Sequence, residues 1–310
     1  MKPTVYVALS QFCETDDTPR RRLLEAGYSL RENRLGRRLK RDEMVSSIGD
    51  AAAVIAGVEP YDAATLAALP RLRCISRCGA GTDAIDLEAA KLRNVAVLTT
   101  SDEVAEPAAQ LTVAMILALS RNLPRYNVDQ REKTWRRYEG RLLSEWTIGV
   151  VGFGRIGRRV ADYLSVFGSR ILVCDPHISA GDMAPGTELC DFRTLLEQAD
   201  LVSLHAARRP EEGPLMNASA FAVMKQRSYL VNTARGYLVD ENALCDVLKS
   251  GKLAGAALDV YTTEPYDGPL LDFPQVLCTP HIATLTDASR RAMELRAAEN
   301  VAAFFESLAS

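Results

Sequence analysis

Three glycines in the segment "GFGRIG" constrain the fold of this chain more than any other feature of its sequence. Gly152, Gly154 and Gly157 follow the apolar run "TIGVV" and precede a segment whose apolar residues recur at helical spacing. Glycine at these positions permits a tight strand-to-helix turn, a close approach of the backbone to a ligand, and close packing of the helix on the strand. The pattern predicts a phosphate-binding turn at the N-terminus of a helix.

An acidic residue follows the next predicted strand, where a dinucleotide-binding unit needs one. The strand "ILVC" leads into Asp175, and the distance from the glycines is close to the separation of about 20 residues that is usual in such units. A carboxylate there accepts hydrogen bonds from ribose hydroxyls and repels the extra phosphate of NADP, so we expect NAD as the cofactor. Arg155 and Ile156, at the start of the helix, are assigned to the same site. The alternative is that Asp175 is a turn residue before Pro176.

Short apolar segments alternate with amphipathic segments along most of the chain. The predicted strands form two series, the first at Val5–Leu9, Ala53–Ala56, Arg73–Ser76 and Val95–Thr99, and the second at Thr147–Val151, Ile171–Cys174, Leu201–Leu204, Tyr229–Val231, Ala256–Leu258 and Val276–Cys278. Repeated βα units predict parallel sheets with helices on both faces, which is the α/β class. Two series predict two domains, bridged by a helix near Pro107–Ser120. Periodicity does not show on which domain the last helix, Thr286–Leu308, packs.

The charge balance argues against a nucleic-acid partner. The 310 residues include 37 Lys and Arg against 40 Asp and Glu, and a broad basic surface needs an excess of positive charge. The basic clusters Arg20–Arg22 and Arg34–Arg41 are interpreted as solvated helix faces. The apolar stretch "LTVAMILAL" is too short to span a bilayer and is predicted to be a buried helix. We therefore expect neither a nucleic acid nor a membrane as partner.

The seven cysteines are scattered without a disulfide framework. Cys74 and Cys78 are the closest pair, and no histidine lies near them in sequence, so we expect no metal site. Reduced thiols and the absence of a signal-peptide pattern in "MKPTVYVAL" favour a cytoplasmic location. We also expect a homodimer, although no single residue carries that expectation.

Three histidines are the candidates for proton transfer in a nicotinamide enzyme. His177 lies beside Asp175 and so at the adenosine end of the predicted cofactor site. His205 and His281 each follow a strand of the second series, where open parallel sheets bind their ligands. Position alone does not distinguish these two.

Six ordered motifs resemble those of the D-isomer-specific 2-hydroxyacid dehydrogenases. "LVNTARGYLVDENAL" (230–244), "AALDVYTTEP" (256–265) and "CTPHIAT" (278–284) are similar to the three signatures of that family. The glycine loop, "SRCGAGTDAIDL" (76–87) and "AAQLTVAMILALSR" (108–121) match in order and spacing, so the resemblance covers nearly the whole chain. It is closest to a short branch related to phosphoglycerate dehydrogenase, without a C-terminal regulatory domain.

The resemblance implies an architecture and an activity. The expected fold has two doubly wound parallel-sheet domains, of which the second, a Rossmann dinucleotide-binding domain at 101–284, is inserted into a substrate-binding domain at 1–100 and 285–310. The expected activity is that of an NAD-dependent oxidoreductase, which transfers a hydride between nicotinamide and a D-2-hydroxy acid or the corresponding 2-keto acid.

The resemblance also implies residue roles in the second domain. Arg235 corresponds to the arginine that grips the substrate carboxylate and carbonyl oxygen, which suits its planar, always charged fork. His281 corresponds to the general acid/base, and Glu264 to the carboxylate that pairs with it and stabilises the imidazolium. On the cofactor side the corresponding residues are Asp259, near the nicotinamide carboxamide, Thr233 and Ala234, lining the nicotinamide, and Ala206, near its ribose.

In the first domain the implied substrate residues form one loop. Arg77, Cys78, Gly79 and Ala80 match the loop whose backbone N–H groups face the substrate carboxylate. Arg77 matches a substrate-side arginine of the phosphoglycerate dehydrogenase branch, and we expect it to offer a second cation to a distal anionic group.

Two departures from the family pattern leave the substrate open. Ala56 stands where phosphoglycerate dehydrogenases commonly carry an arginine toward the substrate phosphate. Arg208 and Arg209 stand in a loop that is usually led by proline; the favoured interpretation is a pair of solvated arginines, and the alternative is an anion site. The acid, its phosphorylation and the direction of the reaction stay undecided.

Two other functions also stay open at this point. One is a dehydrogenase of another small anion, of the phosphite or phosphonate type; Pro280 argues against the formate branch, which has glutamine before the histidine. The other is a non-catalytic NAD-sensing scaffold of the corepressor type, which keeps a similar set of site residues.

Overall fold

The computed structural model describes residues 3–179, 181, 183, 186–208 and 210–308. The chain divides into two compact units, one built from the residues up to Val104 and from Thr284 onward, the other from Ala105–Ala283. The domain boundaries predicted from the sequence, after residue 100 and after residue 284, lie close to these positions.

The described part of the chain contains twelve strands. They are β1 (Thr4–Val7), β2 (Ser29–Glu32), β3 (Ala53–Ala56), β4 (Cys74–Arg77), β5 (Ala96–Thr99), β6 (Thr147–Val151), β7 (Arg170–Cys174), β8 (Thr187–Leu189), β9 (Leu201–Leu204), β10 (Ser228–Asn232), β11 (Leu253–Leu258) and β12 (Val276–Cys278).

Eleven α-helices connect these strands within the same described residues. They are α1 (Thr18–Glu25), α2 (Arg41–Ile48), α3 (Ala63–Ala67), α4 (Leu87–Leu92), α5 (Ser101–Ser120), α6 (Leu123–Arg131), α7 (Arg155–Ser165), α8 (Phe192–Gln198), α9 (Ala218–Val223), α10 (Glu241–Lys249) and α11 (Asp287–Ser307).

The first unit is a five-stranded parallel sheet in the order β2-β1-β3-β4-β5. Successive residues of a strand point to opposite faces, and both faces of β1 are buried. Val5 and Val7 pack in a core with Ala297 and Val301 of α11, whereas Tyr6 packs in a separate core on the other face. The last helix of the chain therefore belongs to the first unit.

The second unit is a seven-stranded parallel sheet in the order β12-β11-β10-β9-β6-β7-β8. Its central strand β6 is also buried on both faces, since Val150 and Val151 belong to different cores. The strand order reverses between β6 and β9, and open α/β sheets bind ligands outside the carboxyl ends of the strands at such a switch point. The predicted α/β class, with two doubly wound parallel sheets, is confirmed.

Two strands escaped the sequence prediction, and both lie at the edge of a sheet. The strands β2 and β8 are short, and neither has a fully buried residue. The sequences of these two strands lack the continuous apolar runs that identify β1, β3 and β9.

The helix α5 begins at Ser101 and not near Pro107, where the sequence prediction put its start. Proline has no N–H and normally leaves the carbonyl four residues earlier without its helical donor. Here the hydroxyl of Ser289 donates to that carbonyl, on Glu103, over 3.2 Å. The helix therefore continues through the proline.

By length and composition, α5 is also the one described helix that is long and apolar enough to cross a membrane. In the structure 56% of its apolar window is buried inside the molecule.

Candidate active site

The carboxyl ends of three neighbouring strands meet at one edge of the second sheet. Asn232, the last residue of β10, pairs with Leu258 of β11, and Leu258 pairs with Cys278 of β12. The segments that follow these strands carry Thr233 to Arg235, Asp259 to Glu264, and Thr279 to His281. Parallel register thus brings together side chains that the sequence separates widely.

Asn232 is fully buried and holds the segment that leads to Arg235. Its side-chain amide donates to the carbonyl of Arg235 over 2.8 Å, and its Oδ1 accepts the N–H of Ala234 over 3.1 Å. The hydroxyl of Thr233 lies 2.7 Å from that of Thr112 in α5. Arg235 itself is half-buried, and its Nη1 donates to the carbonyl of Ala234 over 2.7 Å. These bonds fix the backbone from which the guanidinium extends.

Gly236 brings this segment against the one that carries Glu264. A Cβ at Gly236 would overlap the carbonyl group of Tyr261. No side chain fits there, so only glycine allows the turn after Arg235 to lie directly on the backbone of Tyr261 and Thr262.

His281 and Glu264 form a hydrogen-bonded pair. Nδ1 of His281 lies 2.9 Å from Oε2 of Glu264, and Oε1 of Glu264 accepts the N–H of Tyr261 over 3.2 Å. An ionised carboxylate only accepts, so Nδ1 carries the hydrogen and Nε2 is the nitrogen that remains for proton exchange. The side chains are 48% and 32% exposed, respectively, so the pair is accessible to a ligand.

The buried carboxylate of Asp259 holds the loop on which His281 stands. Asp259 is 0% exposed, and it accepts hydrogen bonds from the Thr279 hydroxyl (2.6 Å), the Ile282 N–H (2.8 Å) and the Ala283 N–H (2.9 Å). These donors lie on both sides of His281, whose φ of +56° is in the left-handed region that few non-glycine residues adopt. The loop conformation is therefore imposed by the carboxylate beneath it.

The other two histidines differ from His281 in environment. Burial lowers the pKa of His205 to about 4, so its ring is neutral at neutral pH. Its Nε2 lies 2.8 Å from the Ser203 hydroxyl, and its Nδ1 is buried without a hydrogen-bond partner among the described residues. His177 is exposed, and its backbone N–H donates to Asp175 over 2.8 Å. Within the part of the chain that the structure describes, a carboxylate is bonded to the ring of His281 and to neither of the other two rings.

The glycine loop after β6 has the geometry of a dinucleotide site. Gly152 has φ +91°, and a Cβ there would come within 2.6 Å of the Ala206 backbone nitrogen. A Cβ at Gly157 would overlap the carbonyl oxygen of Gly152, so the helix α7 packs directly on the turn. Gly154 is exposed, and a Cβ there would meet nothing within 4 Å, which leaves open space at the N-terminus of α7. Arg155 and Ile156 are the first residues of that helix.

Asp175 is fixed beside this loop. Its Oδ2 accepts the N–H of Phe153 over 2.7 Å, and its Oδ1 accepts the N–H of His177 over 2.8 Å. Each carboxylate oxygen can accept a second hydrogen bond, so ribose hydroxyls can still donate to it. Asp175 is thus both a turn residue and a suitable ribose acceptor, and the loop with this acid fits NAD.

In the first unit, the loop after β4 is tied to neighbouring backbone. Gly79 has φ +140°, its N–H donates to the hydroxyl of the buried Thr100 over 2.7 Å, and its carbonyl accepts the Thr100 N–H over 3.0 Å. Cys78 is buried and continues the ladder to Ala56, whereas Ala80 is exposed. The Arg77 guanidinium folds back over this loop: Nε donates to the Gly81 carbonyl over 3.0 Å, and Nη1 donates to the Cys78 carbonyl.

Sequence reasoning missed the polar residues that hold these segments. Asn232, Thr100 and Thr112 lie at the end of an apolar strand or inside an apolar helix, and each is fully buried. A polar residue within such a run is the only signal the sequence offers, because it must find a hydrogen-bond partner when buried.

Arg208, the two basic clusters and the cysteines were also singled out from the sequence, and the structure gives their environments. Arg208 lies 3.5 Å from a carboxylate oxygen of Glu212 and donates to its carbonyl, while Arg209 is outside the described residues. In the basic clusters, Arg20 pairs with Glu32 over 2.7 Å and Arg37 with Glu43 over 2.6 Å. The seven cysteines are free thiols, and within the described residues no group of three or more His, Cys, Asp or Glu side chains is arranged to hold a metal ion.

Comparison with known proteins places this geometry in a family. Residues 113–283 match the family described as D-isomer specific 2-hydroxyacid dehydrogenase, NAD binding domain. D-3-phosphoglycerate dehydrogenase of Mycobacterium tuberculosis is 38% identical over 258 residues, which cover 81% of this chain and 49% of that protein. Glyoxylate reductase of Thermofilum pendens is 38% identical over 274 residues, which cover 85% of this chain and 81% of that protein.

A solved structure agrees in fold. The crystal structure of D-lactate dehydrogenase from Aquifex aeolicus, complexed with NAD and lactic acid, aligns with a TM-score of 0.85 at 28% identity and covers 98% of this chain and 96% of that chain. The present chain spans about half the length of the phosphoglycerate dehydrogenases that it matches. Together, the match over 113–283 and the relative covered over most of its length show that the chain belongs to the D-isomer specific 2-hydroxyacid dehydrogenase family and that its second unit contains the NAD-binding domain.

Proposed function

We propose that this chain is an NAD-dependent oxidoreductase that interconverts a small D-2-hydroxy acid and its 2-keto acid. The observation that carries the proposal is the His281–Glu264 pair, joined over 2.9 Å at the same sheet edge as the Arg235 segment. Bound NAD supplies the nicotinamide carbon that gives or takes the hydride. The relatives named above act on such acids or are named for them, namely phosphoglycerate, glyoxylate and lactate.

His281 supplies the proton in the direction of keto-acid reduction. As hydride reaches the carbonyl carbon, negative charge develops on the carbonyl oxygen, and a proton from Nε2 of the imidazolium neutralises it. Glu264 accepts from Nδ1, so it fixes the ring and stabilises its charged form. In the oxidation direction, the neutral ring takes the hydroxyl proton instead.

Arg235 is assigned to the substrate carboxylate. Its planar guanidinium can donate two parallel hydrogen bonds to a carboxylate, which fixes the orientation of the acid and its charge together. The bonds of Asn232 to the backbone on either side hold the base of this side chain, so the arm starts from a defined position. The loop of Arg77, Cys78, Gly79 and Ala80 in the first unit keeps the substrate-binding role that the family resemblance implies, through its backbone donors.

The cofactor residues divide into two groups. Gly152, Gly154, Arg155, Ile156 and Gly157 are assigned to the pyrophosphate, since the open side of Gly154 faces the N-terminus of α7. Asp175 is assigned to the adenosine ribose and favours NAD over NADP. On the nicotinamide side, the assigned residues are Ala206, Thr233, Ala234 and Asp259, of which Asp259 is fully buried and acts through the loop that it holds.

The same proposal includes a homodimer in the cytoplasm, with neither a nucleic acid nor a membrane as partner. Three large apolar side chains are exposed between residues 123 and 142: Leu123 at 53%, Trp135 at 79% and Leu142 at 66%. Exposed apolar groups clustered in one segment favour an interface. Free cysteines suit a reducing compartment, and the balance of 37 Lys and Arg against 40 Asp and Glu does not favour a nucleic-acid partner.

Cofactor preference tests the role of Asp175. Asp175→Ala should weaken NADH binding by about 10- to 100-fold, because hydrogen bonds to a charged acceptor contribute roughly 1.5–3 kcal/mol. Fluorescence titration of NADH measures this, with the exposed Asp162→Ala in the same unit as the matched control. Equal use of NADPH and NADH by the wild type would contradict the assignment.

Replacement of the histidines tests the proton-transfer assignment. His281→Ala should lose roughly 10²–10⁴-fold in turnover of a 2-keto acid while still binding NADH. His205→Ala should not show a comparable loss, and the exposed His177→Ala serves as control. Normal turnover in His281→Ala would contradict the assignment of His281 as the proton donor. NADH binding without turnover in the wild type would favour the NAD-sensing alternative.

The loop under His281 is tested through Asp259. In Asp259→Asn the amide group replaces one acceptor oxygen by a donor, which then faces backbone N–H groups of residues 282–283. We expect a loss of about 1–3 kcal/mol in the free energy of unfolding together with a fall in kcat. Denaturant unfolding and steady-state kinetics measure the two effects, and the exposed Asp267→Asn should change neither. Unchanged stability and kcat would show that the three hydrogen bonds are dispensable.

Oligomeric state tests the exposed apolar segment. Wild-type protein should give a dimer mass by light scattering, and Trp135→Ser should shift the equilibrium toward the monomer, because it removes the largest exposed apolar side chain in the segment. Val166→Ser, equally exposed in the same unit, should leave the mass unchanged. A monomeric wild type contradicts the dimer.

A further inference from the structure

Arg77 is turned toward its own loop. It is the last residue of β4, and its guanidinium donates to the carbonyls of Cys78 and Gly81. The same group lies against Gly79, where a Cβ would come within 2.8 Å of the guanidinium carbon. The side chain thus closes the loop from Cys78 to Gly81 by lying over Gly79, where the absence of a Cβ leaves room for the guanidinium.

A buried carboxylate lies near this guanidinium. Strands β3 and β4 are neighbours with Ala56 beside Arg77 in the register. Glu59, just beyond the end of β3, is 2% exposed, and its Oε2 accepts the N–H of Gly57 over 2.9 Å. Burial raises the pKa of Glu59, whereas its backbone hydrogen bonds and the positive charges of Arg38 and Arg77 act in the opposite direction. Arg38 is the larger and Arg77 the smaller of these two positive charges.

We propose that Arg77 braces the loop from Cys78 to Gly81 and is not a ligand of a distal anion, and that the substrate is in consequence an unphosphorylated small 2-keto or 2-hydroxy acid. This inference rests on the proposed dehydrogenase function and narrows it. It departs from the expectation, drawn from the family resemblance, that Arg77 offers a cation to a distal anion.

The charges at this loop disfavour a phosphorylated substrate. A phosphate dianion in a partly buried site needs cations that are not already compensated. Ala56 supplies none, and the guanidinium of Arg77 is engaged by two carbonyls of its own loop. The buried carboxylate of Glu59, just beyond the end of β3, repels a dianion. A substrate with a single carboxylate has no second anionic group to place there.

Three substrates distinguish a loop-bracing role of Arg77 from a phosphate-binding role. Hydroxypyruvate and 3-phosphohydroxypyruvate differ only by the phosphate, and glyoxylate lacks the distal carbon altogether. Wild-type kcat/KM with NADH should be at least tenfold higher for hydroxypyruvate than for its phosphate ester. Arg77→Ala and Arg77→Lys should both lower kcat/KM for all three acids by similar factors, because lysine keeps the charge but loses the fork that bonds two carbonyls. Arg73→Ala, an exposed arginine just before β4, is the matched control.

Replacement of Glu59 tests whether its negative charge disfavours the phosphate ester. Glu59→Gln keeps the shape and removes the charge, so it should shift the ratio of kcat/KM toward the phosphate ester by roughly 3- to 10-fold. A selective loss of the phosphate ester in Arg77→Ala, with Arg77→Lys near wild type, would overturn the proposal and make Arg77 a phosphate ligand. A wild-type preference for the phosphate ester would overturn it as well.

Hydrogen exchange tests the brace without any turnover. Amides of residues 78–81 should exchange faster in Arg77→Ala and Arg77→Lys than in wild type or Arg73→Ala, because the carbonyl bonds that hold the loop are lost. Unchanged exchange overturns the brace. If the wild type binds NADH but reduces none of the three acids, the dehydrogenase function and the substrate inference fail, while the exchange result still decides whether Arg77 braces the loop.

Discussion

The hydrogen bonds of the buried carboxylate of Asp259 are the interaction on which the geometry of the site depends. A carboxylate that is completely removed from water must find donors within the protein, and Asp259 takes them from Thr279, Ile282 and Ala283. Those residues surround His281, whose left-handed backbone conformation persists because its surroundings impose it. The imidazole is therefore positioned by the protein before any ligand arrives.

A buried polar residue also holds the segment that follows the neighbouring strand β10. Asn232 ends β10 as Asp259 follows β11, and each is a fully buried polar residue that holds the segment next to it. The groups assigned to chemistry are more exposed: His281 at 48%, Glu264 at 32%, and Arg235 half-buried. Rigid, buried groups hold the loops, and accessible groups exchange protons or bind the acid. This separation lets the site be both ordered and open to substrate.

Sequence reasoning reached the glycine loop and Asp175 because their roles follow from local geometry. Gly152 needs its positive φ, and Gly157 needs to lack a Cβ, so the residue types are visible in the sequence itself. Position in the sequence did not distinguish His205 from His281, since both follow a strand of the same sheet; the family resemblance pointed to His281 and its pairing with Glu264. The structure has that pair and adds that His205 is buried beside Ser203.

Other features could not have been predicted because they depend on contacts between distant parts of the chain. The strands β2 and β8 are stabilised by a single neighbour and carry no apolar run. Helix α5 continues through Pro107, and Ser289, far along the chain, bonds the carbonyl of Glu103 that the proline leaves without its helical donor. The direction of the Arg77 side chain likewise depends on the carbonyls of Cys78 and Gly81 to which it donates.

The most direct test of the proposed chemistry follows the hydride itself. NADH carrying deuterium at C4 of the nicotinamide is incubated with glyoxylate, pyruvate and hydroxypyruvate, and the organic acids are analysed by mass spectrometry. We predict that at least one keto acid gives a 2-hydroxy acid with one deuterium at C2, transferred from one face of the nicotinamide only. We also predict that His281→Ala forms this product at least a hundredfold more slowly. Unlabelled acids throughout, from a protein shown to bind NADH, would contradict it.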